Sequence, residues 1–226
     1  MDNLQFNYKY FNIVSLFFVA LLMISNTVAV KLISFGPFMF TGAILIFPLT
    51  YIFGDVLTEV YGYKRSRRII WSGFMAILFM SFIYWLVGVL PSAPSWQNQS
   101  AYNSILGLVP RIVIASIIGY WAGEFSNSYI LAKLKIITKG RYLWIRTITS
   151  TIIGEGVDTA LFVLIGFFGV IPNSSLLIVI FSGYFFKVIY EIIATPATYR
   201  IVKFLKKAEG HDHFDYNTNF NPFNFR

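Results

Sequence analysis

The sequence predicts an all-α integral membrane protein of six transmembrane helices with both termini in the cytoplasm. Three observations carry that expectation. The 226 residues are 57% hydrophobic and 19% aromatic but only 12% charged, with a mean hydropathy of +0.66, a composition foreign to a water-soluble domain. The apolar residues fall into stretches long enough to cross the hydrocarbon core of a bilayer. The connections between them alternate between densely cationic and uncharged, as insertion requires when basic loops stay inside. The net charge of +8 is therefore read as topology, and no nucleic-acid partner is expected. With no cysteine in the chain, disulfides, thiolate nucleophiles and cysteine metal sites are excluded.

Taken in order, Met1–Tyr10 is a polar lead with Lys9 as its only cation. The first span covers about residues 11–33; it is too long for a signal-peptide core and lacks a small-x-small cleavage site, so it is expected to be retained. Gly36-Pro37 breaks the chain before a second span over about 38–61, where Pro48 is expected to free a backbone carbonyl for a neighbouring helix. A third span over 69–90 leads into residues 91–110, which contain no Lys, Arg, Asp or Glu and read as an outside loop. The fourth span, 111–131, ends in Lys133, Lys135, Lys139 and Arg141. The fifth covers 143–170, the connection 171–175 is uncharged, and the sixth, 176–205, ends at Lys203, Lys206 and Lys207. Only the first loop, with Lys31 at its edge, departs from the positive-inside pattern. Residues 1–207 thus form the membrane domain, and the polar tail 208–226, which holds both histidines, is expected on or near the cytoplasmic face.

The stretch GDVLTEVYGYKRSRR, Gly54 to Arg68, concentrates the chemistry. Asp55 and Glu59 are four apart and share one face of a regular helix, while Lys64, Arg65, Arg67 and Arg68 mark the exit to the cytoplasm. A charge at the bilayer centre costs about 2.5–3.5 kcal/mol even on the lenient insertion scale, so each needs a partner or a use. The candidate substrate-binding residues are Asn26, Asp55, Glu59, Glu124, Glu155, Asp158, Lys187 and Glu191, with Asn127 beside Glu124. For some, a structural role competes. Lys187 and Glu191, at i and i+4, form an expected ion pair; Glu59 is placed to neutralise Lys64 or Arg67; Arg111 is an expected interface anchor. Asp55, Glu155 and Asp158 are too many acids for one lysine and are read as a site converging between the second and fifth spans. Gly54-Asp55 with Glu59 is echoed by Gly154-Glu155 with Asp158 in a span of opposite direction, which points to a three-plus-three inverted repeat with a site near the midplane.

No H-E-x-x-H, G-x-S-x-G or G-x-x-x-x-G-K-S/T motif occurs, so no metal, cofactor or hydrolytic apparatus is expected. An enzyme using the intramembrane carboxylates, and an interaction scaffold, are the alternatives to a transporter. Phe47, Tyr51, Phe53, Trp121, Phe125, Phe162, Tyr184 and Tyr190 are assigned to lipid-facing bulk, a few of them to stacking on a planar ligand.

The ordered motifs GDVLTEVYGYKRSRR, GEFSNSYILAKLK with Gly140 and Trp144-Ile145-Arg146, STIIGEGVDT, KVIYEIIATPATYR and the NTNFNPF ending resemble the queuosine precursor transporter family, also called the vitamin uptake transporter family, over nearly the whole chain. The resemblance implies a six-helix protein of the cytoplasmic membrane that imports 7-deazaguanine precursors of a modified tRNA base, with a fold akin to the substrate-binding subunits of energy-coupling-factor transporters. Another small planar, vitamin-like solute is the alternative cargo. A 7-deazaguanine offers adjacent N–H donors that a buried carboxylate accepts in bidentate fashion. A 7-nitrile would seek a donor such as Asn26 or Lys187, and a 7-aminomethyl cation a second acid. The alanines four apart through which such subunits dock their ATPase are missing here: Ala20 is followed by Ile24, and Ala29 by Ile33. A self-sufficient carrier is therefore expected rather than one needing a separate ATPase, and association into homo-oligomers is left open.

Overall fold

The computed structural model describes residues 8–28, 31–35, 38–106, 110–169, 173–216 and 218–223. Among them the chain forms α1 (Phe11–Val28), a hairpin of β1 (Leu32–Phe35) and β2 (Phe38–Thr41), a 3-10 turn at Gly42–Leu45, and α2 (Phe47–Val56), which runs into a π-helical turn at Leu57–Tyr61. There follow α3 (Tyr63–Val89), the short α4 (Gln99–Leu106), α5 (Pro110–Ile137), α6 (Leu143–Phe167) and α7 (Asn173–Glu209). Five segments are long and apolar enough to cross a membrane: Phe11–Val28, Gly42–Tyr61, Tyr63–Val89, Leu143–Ile165 and Leu176–Glu209. α5 is diluted by Glu124, Asn127 and Ser128, all fully buried, so its polarity faces inward.

The outer surface is the reverse of a soluble protein's. Met75, Phe79, Phe181 and Ile193 are each more than 60% exposed, while the interior holds carboxylates, hydroxyls and amides. Burying apolar side chains is not the driving force where the solvent is lipid, and polar groups then collect inside where they can satisfy one another. The chain is a multi-pass membrane protein.

Several expectations need correction. The first span stops at Val28, and residues 32–41 form an antiparallel ribbon with Leu32 opposite Thr41 and Phe35 opposite Phe38. Its aromatic and aliphatic residues suit a pleated strand. Pro48 lies in the first turn of α2, where a missing N–H costs nothing; it starts a helix instead of freeing a carbonyl. The proline that does interrupt a helix is Pro196 in α7, which leaves the carbonyl of Ile192 without its helical donor. The uncharged loop carries α4, tied back by Gln99 donating to the Gly88 carbonyl at 3.0 Å and Tyr102 to the Tyr84 carbonyl at 3.2 Å. The Gly36-Pro37 break and the Arg111 side chain lie outside the described residues.

Helices α5 and α6 cross at very short range. A Cβ added to Gly123 would stand 2.7 Å from the Gly154 carbonyl oxygen, and one added to Gly154 would stand 2.8 Å from that of Gly123. Small residues let helix backbones approach in this way inside a membrane. The crossing places Glu124 and Asn127 of α5 beside Glu155 and Asp158 of α6.

At the end of the bundle that carries the basic residues, the polar tail is a docked strap. Gly62 separates α2 from α3 with φ +87°, a conformation that favours glycine, and a Cβ there would collide with the His213 ring. Asp215 accepts the Tyr63 N–H at 3.1 and 3.2 Å, satisfying a donor in the first turn of α3 that the helix cannot. Burial pushes the Asp215 carboxyl up, but hydrogen bonds from His213, the Tyr63 N–H and Thr218 outweigh it and hold the group below its ordinary range. Arg67 donates to the carbonyls of Asn219 and Asn221 at 2.7 and 2.6 Å, and Trp71 to that of Pro222 at 2.9 Å. Phe223 packs 5.5 Å from the Trp121 ring. Arg67 is thus buried and committed to the tail, a role its place in a basic run does not reveal.

Candidate functional site

Asp55 and Glu59, expected on one face, go to different places. The π-helical turn beginning at Leu57 widens the helix between them and rotates Glu59 away from the α-helical register; such turns recur at functional sites. Glu59 is fully buried and binds three cations. Arg146 grips both of its carboxylate oxygens, Lys206 donates to Oε1 at 2.5 Å, and Lys135 stands 3.5 Å from the same oxygen. Lys135 also donates to the Glu59 carbonyl at 2.5 Å. Asp212 of the tail completes the cluster, 2.6 Å from Lys135 and 2.9 Å from Lys206. The partners of Glu59 are therefore not Lys64 or Arg67, and Lys135 is an interior residue of α5 rather than a loop charge.

Asp55 stays in the bundle interior. Its Oδ1 accepts from Asn127 Nδ2 at 2.6 Å, and its Oδ2 has no hydrogen-bond partner among the described residues. Gly54 lies directly against the Glu124 carboxylate, so that a Cβ there would overlap it. Glu124 accepts a long bond from Ser128 at 3.4 Å. On the other side, Lys187 of α7 reaches α6, where its Nζ is 2.6 Å from Asp158 and 2.9 Å from Glu155 and 3.2 Å from Thr159 Oγ1. The same ammonium sits 4.6 Å from the centre of the Phe47 ring.

This overturns the expected Lys187–Glu191 pair: the lysine turns to α6, where two carboxylates outbid one, and both carboxylate oxygens of Glu191 are buried with no hydrogen-bond partner among the described residues. Glu191 lies in the electrostatic field of Asp55 and of Glu155. Tyr51, one turn before Asp55 on α2, feels Asp158, Glu155 and Glu124 together. Four helices thus contribute to one polar layer: α2 with Tyr51 and Asp55, α5 with Glu124 and Asn127, α6 with Glu155 and Asp158, and α7 with Lys187 and Glu191.

Asn26 is placed elsewhere. Its amide donates to the Leu22 carbonyl at 2.8 Å and accepts from Ser116 at 3.2 Å, so it secures α1 against α5. Tyr51 and Phe125 belong to the core, with Tyr51 fully buried, and are not lipid-facing. The residues not foreseen as part of either cluster are Tyr51, Lys135, Arg146, Lys206 and Asp212. Tyr51 had a signal, its spacing of four from Asp55; Arg146 and Asp212 are distant from Glu59 in sequence and had none.

An apolar exterior around an ionisable layer built by four helices is the organisation of a polytopic membrane protein with a polar interior. Residues 41–201 match the profile of the family described as "Putative vitamin uptake transporter"; the chain belongs to this vitamin uptake transporter family and is a transporter, not an enzyme. It is 29% identical over 156 residues, 69% of this chain and 68% of the relative, to the "Probable queuosine precursor transporter" of Bacillus subtilis strain 168. It is 27% identical over 160 residues, 71% of this chain and 70% of the relative, to the "Queuosine precursor transporter" of Escherichia coli K12. No solved structure matches the chain.

Proposed function

We propose that the protein imports 7-deazaguanine precursors of queuosine across the cytoplasmic membrane, binding them in the layer between α2, α5, α6 and α7. The observation that carries this is the excess of buried acid: Asp55, Glu124, Glu155, Asp158 and Glu191 are each less than 5% exposed, and the cation paired within the layer is Lys187. Carboxylates inside a membrane need donors, and the N1–H and exocyclic amine of a guanine-like ring supply two in the spacing a carboxylate accepts. Asp55, with one oxygen held by Asn127 and the other without a hydrogen-bond partner among the described residues, is the acceptor we assign to that edge, and Phe47, against the Lys187 ammonium, and Tyr51, one turn before Asp55, are the aromatic faces we assign to the ring. The names of the two bacterial relatives favour this cargo over other planar solutes.

In this reading α5 is the sixth span, its polarity turned inward, and both termini and the docked tail are cytoplasmic. The two echoed glycines, Gly54 and Gly154, both pack on α5, against Glu124 and Asn127, which supports the inverted repeat. The carrier works without a separate ATPase, alone or as copies of itself. Purified protein in sealed liposomes is expected to accumulate or exchange labelled 7-deazaguanine unaltered, with guanine-edge analogues competing. Absence of saturable uptake would refute the assignment. Because the chain has no native cysteine, single cysteines at exposed positions test topology directly: one at Lys64 is expected to resist an impermeant thiol reagent in intact cells, one at Ser95 to react, and labelling of the Lys64 position from outside would invert the proposed orientation.

A further inference from the structure

Resting on that reading, we infer that Glu191 is the residue that decides between a cationic and a neutral substituent on the bound ring, receiving one positive charge that is either a proton or the ammonium of the ligand. The geometry singles it out. Its carboxylate is 2% exposed, and neither oxygen has a hydrogen-bond partner among the described residues. The cation four residues before it, Lys187, is engaged by Glu155 and Asp158 at 2.9 and 2.6 Å.

The groups facing Glu191 from the elements packed on α7 make its isolation worse. α2 presents Asp55, already bonded to Asn127; α6 presents Glu155, which together with Asp158 holds Lys187. Glu59, in the π-helical turn, is saturated by Arg146, Lys135 and Lys206. Among the described residues, no cation of the layer is left over for Glu191. An ionised carboxylate without a partner is expensive in such surroundings, so the site holds a proton until something positive replaces it. Both probes share the guanine edge that Asp55 accepts. 7-Aminomethyl-7-deazaguanine also carries a primary ammonium, three donors and a full charge, whereas 7-cyano-7-deazaguanine carries an uncharged acceptor. Binding of the first displaces the proton of Glu191 to solvent; binding of the second leaves it in place. One turn further on, Pro196 removes a backbone hydrogen bond from α7, and Thr195 Oγ1 bonds to the Glu191 carbonyl at 2.9 Å.

The test is equilibrium binding of the two compounds to purified full-length protein. In Glu191→Gln, affinity for the aminomethyl compound is expected to fall by about thirtyfold or more, and affinity for the cyano compound to stay within about threefold. Equal losses for both, or no change in their ratio, would overturn the inference. In the unmodified protein, exchange of one proton for one ammonium predicts that aminomethyl affinity weakens toward about tenfold per unit as pH falls through the titration of Glu191, with no matching trend for the cyano compound. Parallel pH profiles would also overturn it, and this arm needs no variant to fold. Failure of the unmodified protein to bind either compound at any pH would refute the proposed function itself, a different outcome from loss of discrimination.

Discussion

Glu59→Gln is expected to strip the protein from the membrane while sparing the affinity of whatever survives. The carboxylate is bonded by Arg146 and Lys206 and approached by Lys135, and the other acid in the cluster, Asp212, is 41% exposed on its side chain. Removing one partner of a buried ion pair costs about 3–5 kcal/mol, because the charge left behind is desolvated and uncompensated; here several are left. The cluster joins the end of α2 to α5, α6, α7 and the tail, so its loss loosens most of the basic end at once. Membrane abundance and thermal stability should both collapse. Removing a cation at the same time, as in Glu59→Gln with Arg146→Met, should recover part of the loss, the signature of coupled charges. A Glu59→Gln protein of normal stability that binds substrate about tenfold more weakly would instead move Glu59 into the site.

Lys187→Met is expected to be nearly as severe and to act through a different part of the molecule. The substitution keeps the length and apolar stem of the side chain but takes the cation from Glu155 and Asp158 and from the face of Phe47. Glu191 then faces further unpaired acids. A cost of about 3–5 kcal/mol again follows from the stranded charges. Adding Asp158→Asn or Glu155→Gln should restore stability, because each removes an acid that the lysine had been neutralising. Melting temperatures of the purified single and double variants measure this directly; a Lys187→Met protein as stable as the parent would mean that the acids of α6 need no cation.

What could be read from the sequence followed from physics that acts locally. The span count rested on apolar length and loop charge, and five of the six expected spans have segments of membrane-crossing length and composition, the exception being α5 with its inward polarity. The candidate acids were legible because a carboxylate in an apolar run is costly wherever the run packs. Their partners were not legible, since partnership depends on crossing geometry. The i,i+4 spacing of Lys187 and Glu191 favoured a local pair, yet the Gly123–Gly154 contact and the α6 acids offered the lysine a better one. The spacing of Asp55 and Glu59 assumed a regular helix, and the π-helical turn at Leu57–Tyr61 separated them. The strap role of the tail was hidden for a related reason: Arg67 reads as one of four cations in a loop, and the carbonyls it binds are about 150 residues away.

The central claim, that the polar layer between α2 and α6 receives the substrate, is tested most directly by calorimetric titration of a 7-deazaguanine into purified Asp55→Asn, Glu155→Gln and Asp158→Asn proteins, each first matched to the parent for abundance and melting temperature. An amide in place of a receiving carboxylate turns a donor toward the N–H edge of the ring, and the unsatisfied contact costs about 1–3 kcal/mol, or roughly tenfold to a hundredfold in affinity. The account predicts a loss of that size in at least one of the three, with Asp55→Asn the first expected. Three folded variants that all bind as the parent does would contradict it and place the site outside this layer.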